Sequence, residues 1–179
     1  MSVEFTALAD DGAARHLPGL RLPAIALPSS DGGEVRLDQL PERSALFIYP
    51  SIGGPGDESL LDDWTAVPGA RGCTPEACGV RDGIAQFEAR GVAVFGLSGQ
   101  ASELQIKHVA ELQLSYPLLS DQGLQLAAAL ALPTFSVHDR HFYRRLTLMT
   151  RGDVIEAALY PVFPPEQAAT QALEHLSQD

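Results

Sequence analysis

Two short, wholly apolar runs, "SALFIYP" at 44–50 and "VAVFGLS" at 92–98, flank a segment of quite different periodicity. An apolar run of this length bounded by turn residues reads as a strand buried on both faces, which in turn requires helices to cover it. Between the runs, "PEACGVRDGIAQFEARG" spaces Ala77, Val80, Ile84 and Phe87 as one face of a helix and ends at Gly91, a residue suited to a C-cap. The order is therefore strand, helix, strand. Downstream, "ASELQIKHVAELQL" predicts an amphipathic helix with Leu104, Val109 and Leu112 inward, and "GLQLAAALAL" predicts another helix. The character then changes: "RRLTLMTRGDVIEAAL" reads as two strands around an Arg-Gly-Asp turn, and "PPEQAATQALEHL" as a helix whose prolines sit where a helix start accepts them. Upstream, "LPAIALPSSDGGEVRLDQL" predicts a hairpin around Ser-Ser-Asp-Gly-Gly.

A βαβ half followed by a ββα half is the layout of a thioredoxin-like α/β fold, here a central mixed sheet flanked by helices with an added N-terminal hairpin. At 179 residues the chain fits one domain with a core of its own. Residues 1–16 are assigned to an N-terminal extension and 17–179 to the domain. Twelve basic against twenty-three acidic residues leave a net charge of -11, which repels phosphate backbones and anionic lipid, so neither nucleic acid nor a membrane surface is an expected partner. No apolar run approaches the roughly 18 residues of a membrane span. The opening "MSVEFTALADDGAARH" is acidic where a secretory leader needs a basic start. A cytoplasmic location is expected.

Both cysteines of the chain lie in "ARGCTPEACGV", five positions apart. In a reducing compartment such a pair is catalytic or metal-binding more often than structural. Four readings compete: a structural disulfide, half of a metal site, an inert buried pair, and a reactive thiol with its partner. His138 and His141 of "VHDRH" are the residues nearest to a metal pattern, and they fall short of the four ligands that zinc takes. A cysteine ionising near 8.5 is only about 3% thiolate at pH 7, and raising that to about 90% takes roughly 3.4 kcal/mol. A helix N-terminus contributes about 0.3–2 kcal/mol. A fixed cation must supply the remainder, and Arg145 is the candidate, because a guanidinium stays charged and can donate to sulfur and substrate oxygen at once. If Cys73 and Cys78 both lay in regular helix, their Cα atoms would be roughly 8.6 Å apart. A disulfide needs less than about 7 Å. Bonding would require the first turn to unwind, so the spacing reads as a two-state switch.

These residues resemble the peroxiredoxins, and within them the PrxQ or bacterioferritin-comigratory group. The likeness is carried by "GCTPEACGVRD", "VFGLS", "YPLLSD" and "RLTL" with its following hairpin, in order from about residue 17 to 176. The chain is also similar to a long-loop subset with Pro-Gly-Ala-Arg-Gly-Cys-Thr-Pro and Tyr-Pro-Val-Phe-Pro-Pro stretches. The resemblance implies a thioredoxin fold and a thiol-dependent peroxidase acting on hydrogen peroxide or organic hydroperoxides in antioxidant defence. It implies Cys73 as peroxidatic cysteine, Cys78 as resolving cysteine joined to it by a disulfide, and thioredoxin or a similar dithiol as reductant. It also implies Arg145 as the active-site arginine, with Arg144 the alternative, since strand alternation lets only one of them face the site. Pro50, Thr74 and Glu76 are the candidate substrate-binding positions. No cofactor or metal is called for, and relatives of this group suggest a monomer. One departure stands out: where the family carries a proline seven residues and a threonine or serine three residues before the reactive cysteine, this chain has Ala66 and Ala70. Pro50 corresponds to that proline, displaced by the longer loop, and Thr65, Thr74 or a backbone group are the replacements for the hydroxyl. Two other functions are compatible with the same fold: a thiol–disulfide oxidoreductase, although those normally carry Cys-x-x-Cys, and a non-catalytic redox sensor.

Bland readings apply elsewhere. Glu76 is also a first-turn acid of the kind the helix dipole favours. Arg81 and Asp82 read as a structural polar pair, and Tyr49 and Trp64 as packing residues.

Overall fold

The computed structural model describes residues 8–178. Residues 1–7 of the opening stretch on which the reading of the chain start rests therefore lie outside the described part. A five-stranded sheet with strand order β5-β4-β3-β8-β9 forms the centre. Its strands are β3 (Arg43–Ile48), β4 (Ala93–Ser98), β5 (Leu118–Ser120), β8 (Leu146–Arg151) and β9 (Val154–Leu159). β3, β4 and β5 run parallel, and β8 and β9 pair antiparallel beyond β3. The βαβ and ββα halves thus meet at the β3–β8 seam, as expected. The N-terminal hairpin of β1 (Ala26–Pro28) and β2 (Glu34–Arg36) is present. A second hairpin, β6 (Thr134–Val137) with β7 (Arg140–Tyr143), was not read from the sequence. Its alternation is interrupted at the turn by His138, which takes a positive φ of 54°.

Strand alternation sorts the core into two layers. Ala45, Phe47, Tyr49, Val94, Leu118 and Met149 point to one face, where α2 (Cys73–Glu88) and α5 (Ala168–Leu176) cover them. Leu46, Ile48, Phe95, Leu97, Leu119 and Leu148 point to the other, onto α4 (Gln125–Leu130) and the N-terminal segment from Ala14 to Leu40. Phe47 meets Phe87 of α2 edge-on, with centroids 5.8 Å apart. Each such fully buried side chain stabilises the fold by about 1.5–3 kcal/mol. The tight fit of α2 under the C-terminal segment depends on glycine: a Cβ on Gly79 would lie 2.8 Å from the Glu166 carbonyl oxygen.

The helix α3 (Ser102–Leu112) departs from its expected face. Val109 and Leu112 do pack on the α2-side core, but Leu104 is 37% and Ile106 51% exposed, and the buried positions are Gln105 and His108. The reason is polar. Gln105 Nε2 donates to the Leu119 carbonyl at 2.8 Å and to Ser98 Oγ at 3.2 Å, so the helix buries an amide where strand ends need a donor.

The long stretch after β3 contains a short 3-10 turn (Glu58–Leu60) and α1 (Leu61–Ala66). Trp64 anchors it in a satellite core, edge-on to Phe142 with centroids 4.7 Å apart and tilted against Phe135 at 5.4 Å, both rings belonging to the second hairpin. Trp64 is a packing residue.

Candidate active site

Cys73 occupies the first position of α2, behind Gly72, whose φ of 100° turns the chain sharply into the helix. No side chain caps that end, so the first-turn N–H groups keep their partial positive charge. A Cβ at Gly72 would stand 2.6 Å from Pro165 Cγ, and only glycine meets both the dihedral and the contact. The Cys73 sulfur is buried.

Three groups converge on it. Arg145 Nη2 donates at 3.3 Å, the Ser51 backbone N–H donates at 3.4 Å, and the Ala70 carbonyl lies 3.8 Å away as acceptor for the protonated thiol. Residue 70, an alanine, thus meets the sulfur only through its backbone carbonyl. Arg145 reaches the sulfur by strand parity. It shares a face with Thr147 and Met149, the face under α2, whereas Arg144 points away and stacks 5.5 Å over the Phe135 ring.

The guanidinium is held on several sides. Nη1 donates to Glu76 Oε2, and Nη2 also donates to the carbonyls of Arg71 at 3.1 Å and Gly69 at 3.3 Å. Arg145 and Glu76 are both only 2% exposed at their side chains. Glu76 orients the cation and at the same time offsets part of its charge, so a sulfur anion here needs the helix end and the Ser51 N–H in addition to the arginine.

A cavity of about 250 Å³ opens over the sulfur, lined by Ser51, Trp64, Thr65, Ala70, Arg71 and Thr74 among others. Thr74 therefore faces the cavity. Glu76 lies outside its wall, hydrogen-bonded to Arg145, and Pro50 lines a separate groove of about 560 Å³ on the other side of residues 51–56. Cys78 is half-buried further along α2, and the two cysteines are not joined to each other. Arg81 and Asp82 form the expected polar pair at 2.9 Å, and Arg81 also donates to the Leu112 carbonyl. His138 pairs with Asp63 at 2.5 Å, and the ring of His141 with Ser136 at 2.8 Å. Among the described residues no cluster of metal-ligating side chains occurs.

Ser51 was missed by sequence reasoning. Its contribution is a main-chain N–H, which leaves no compositional trace. The available signal was positional, since it follows the proline that ends a buried strand.

A βαβ–ββα sheet flanked by helices, with a buried cysteine at a helix N-terminus against an arginine, places the chain among the thioredoxin-like folds. The chain belongs to the Redoxin family, whose profile matches residues 17–173. It is 31% identical over 116 residues to a putative peroxiredoxin of Mycobacterium tuberculosis, a match covering 64% of each chain. To the chloroplastic peroxiredoxin Q of Suaeda salsa it is 26% identical over 164 residues, covering 91% of this chain and 69% of that protein. Among solved structures, peroxidoxin BcpB of M. tuberculosis superposes with a TM-score of 0.72 at 24% identity, covering 90% of this chain and 97% of that one. Peroxiredoxin Q of Xanthomonas campestris gives 0.68 at 20% identity, covering 89% and 96%. The resemblance to the PrxQ and bacterioferritin-comigratory group and the thioredoxin-like fold are both borne out. No helix among the described residues is long and apolar enough to cross a membrane.

Proposed function

We propose that residues 17–179 form a thiol-dependent peroxidase. Hydrogen peroxide or an organic hydroperoxide enters the cavity over Cys73, and the thiolate attacks the terminal oxygen. The O–O bond breaks as the S–O bond forms, sulfur gives up two electrons, and the departing oxygen takes a proton to leave as water or alcohol. Arg145 Nη2 and the Ser51 N–H, both within 3.4 Å of the sulfur, stabilise the anion and the charge developing on the transferred oxygens. Thr74 and Thr65, on the cavity wall, stand in for the hydroxyl that Ala70 lacks. Cys78 then attacks the sulfenic acid, forming the disulfide and releasing water. Thioredoxin or a similar dithiol restores the two thiols. The protein acts as a cytoplasmic monomer in antioxidant defence.

The observation that carries this reading is the buried Cys73 sulfur held between a guanidinium and a helix N-terminus beneath an open cavity. Mass spectrometry after one equivalent of peroxide tests it. The parent protein should gain a Cys73–Cys78 disulfide, Cys78→Ser should stop at a sulfenic acid after one turnover, and Cys73→Ser should consume no peroxide. Undiminished consumption by Cys73→Ser would refute the proposal.

A further inference from the structure

The Ser51 N–H lies just beyond the end of the sheet. The last bond of its strand toward β4 is Tyr49 N–H donating to the Leu97 carbonyl at 3.1 Å. Pro50 has no N–H and cannot continue the ladder. Ser51 turns its N–H to the Cys73 sulfur, and at the next residue both backbone groups of Ile52 are taken by one side chain. The Ile52 N–H donates to Gln100 Oε1 at 2.8 Å, and Gln100 Nε2 donates to the Ile52 carbonyl at 3.0 Å. Gln100 is fixed in its turn. Its N–H donates to Ser98 Oγ at 3.2 Å and its carbonyl accepts from Ser120 Oγ at 2.6 Å. The amide thus mimics the strand residue that would have paired next.

We propose that Gln100 is a positioning residue for the reactive sulfur, holding the peptide that presents the Ser51 N–H to Cys73. Gln100 neither contacts the sulfur nor lines the cavity above it, so it acts only through Ile52 and Ser51. The backbone beyond Ile52 offers little stiffness of its own, because Gly53, Gly54 and Gly56 all take positive φ. The buried Ile52 side chain fixes the depth of the loop. The Ser51 hydroxyl closes the loop on itself by donating to the Gly54 carbonyl at 2.5 Å, and the Gln100 amide ties the loop to the end of β4. With one cation already shared with Glu76, the sulfur anion depends on this N–H more than it would beside an unencumbered arginine.

The inference rests on the proposed reaction of Cys73 with peroxide, and the test separates the two. In a Cys78→Ser background, Gln100→Met keeps side-chain length and removes both bonds, while Ser120→Ala loosens only the support behind them. Two readouts are taken: the second-order rate of Cys73 oxidation by hydrogen peroxide, and the pH profile of Cys73 alkylation by iodoacetamide. Loss of a direct oxyanion donor costs about 10²–10³-fold, so a displaced one should cost about tenfold in Gln100→Met, with about threefold in Ser120→Ala. Both alkylation profiles should move to the alkaline side, Gln100→Met further. Rates within about twofold of the parent with unmoved profiles would overturn the role, as would a slower reaction with an unmoved profile, the mark of a merely structural residue. Should Gln100→Met fail to fold, Ser120→Ala decides by the same two readouts. A parent protein that leaves peroxide untouched refutes the peroxidase, and the alkylation profiles still decide for Gln100.

Discussion

Arg145 is asked to do four things at once: donate to Glu76, to two carbonyls and to the Cys73 sulfur. A lysine ammonium has three donors on a flexible stem and no planar fork. Arg145→Lys should therefore lower the rate of peroxide reduction by about 10²-fold, while Arg144→Lys, whose parent side chain stacks on Phe135, should stay within about twofold. Stopped-flow oxidation of Cys73 measures both, and equal losses in the two variants would contradict the geometry. Removing the cation altogether has a different consequence. Arg145→Met leaves the Glu76 carboxylate buried without its partner, a loss of about 3–5 kcal/mol that a lowered urea midpoint would report. Adding Glu76→Gln to that variant should recover part of the stability and none of the activity.

The start of α2 combines a left-handed residue, a buried thiol and a tight contact to the C-terminal segment within two positions. Gly72→Ala would force a side chain into φ of 100° and against the Pro165 ring at 2.6 Å. The strain alone costs about 1–3 kcal/mol. A thermal unfolding midpoint several degrees below the parent is expected, and an unchanged midpoint would show that the turn relaxes freely. The same element has to open for the proposed disulfide. Both cysteines lie within α2, where an ideal helix sets their Cα atoms roughly 8.6 Å apart. Oxidation by one equivalent of peroxide should remove about one turn of helix from the far-ultraviolet circular dichroism of the parent, and none from Cys78→Ser. An oxidised parent with its full helix signal would mean that the second cysteine pairs by another route.

Across the molecule, the sheet gathers a site from places far apart in the chain: residue 51 after the first central strand, residue 73 after the insertion, and residue 145 at the mouth of β8. The polar connections behind it reach α3, which buries Gln105 and His108. Burial lowers the pKa of His108 below its ordinary value of 6.5. The unfolded chain therefore binds a proton at mildly acidic pH that the folded chain refuses, and stability falls as pH drops below about 6.5 toward the depressed folded value. Urea unfolding at pH 7 and pH 5 should show this loss, and His108→Gln should lose less over the same interval. Identical pH dependence in parent and variant would remove His108 from the account.

Residue pattern alone determined the order of the central strands and their covering helices, though not the β6–β7 hairpin, because a strand buried on both faces leaves an unbroken apolar run and a covering helix leaves a 3.6-residue period. The place of Cys73 at a helix start was legible for the same kind of reason, from Gly72, Thr74 and Pro75 around it. Arg145 could be proposed from sequence, yet its choice over Arg144 needed the sheet, since parity is fixed only once β8 pairs with β3. The outward turn of Leu104 and the inward turn of Gln105 were hidden, because hydrophobicity cannot tell which strand carbonyls need a donor. Ser51 and Gln100 were decided wholly by tertiary structure. Ser51 meets the sulfur through a main-chain N–H and the Gln100 amide meets the main chain of Ile52, and only the closing of β3 against β4 sets where those backbone groups point.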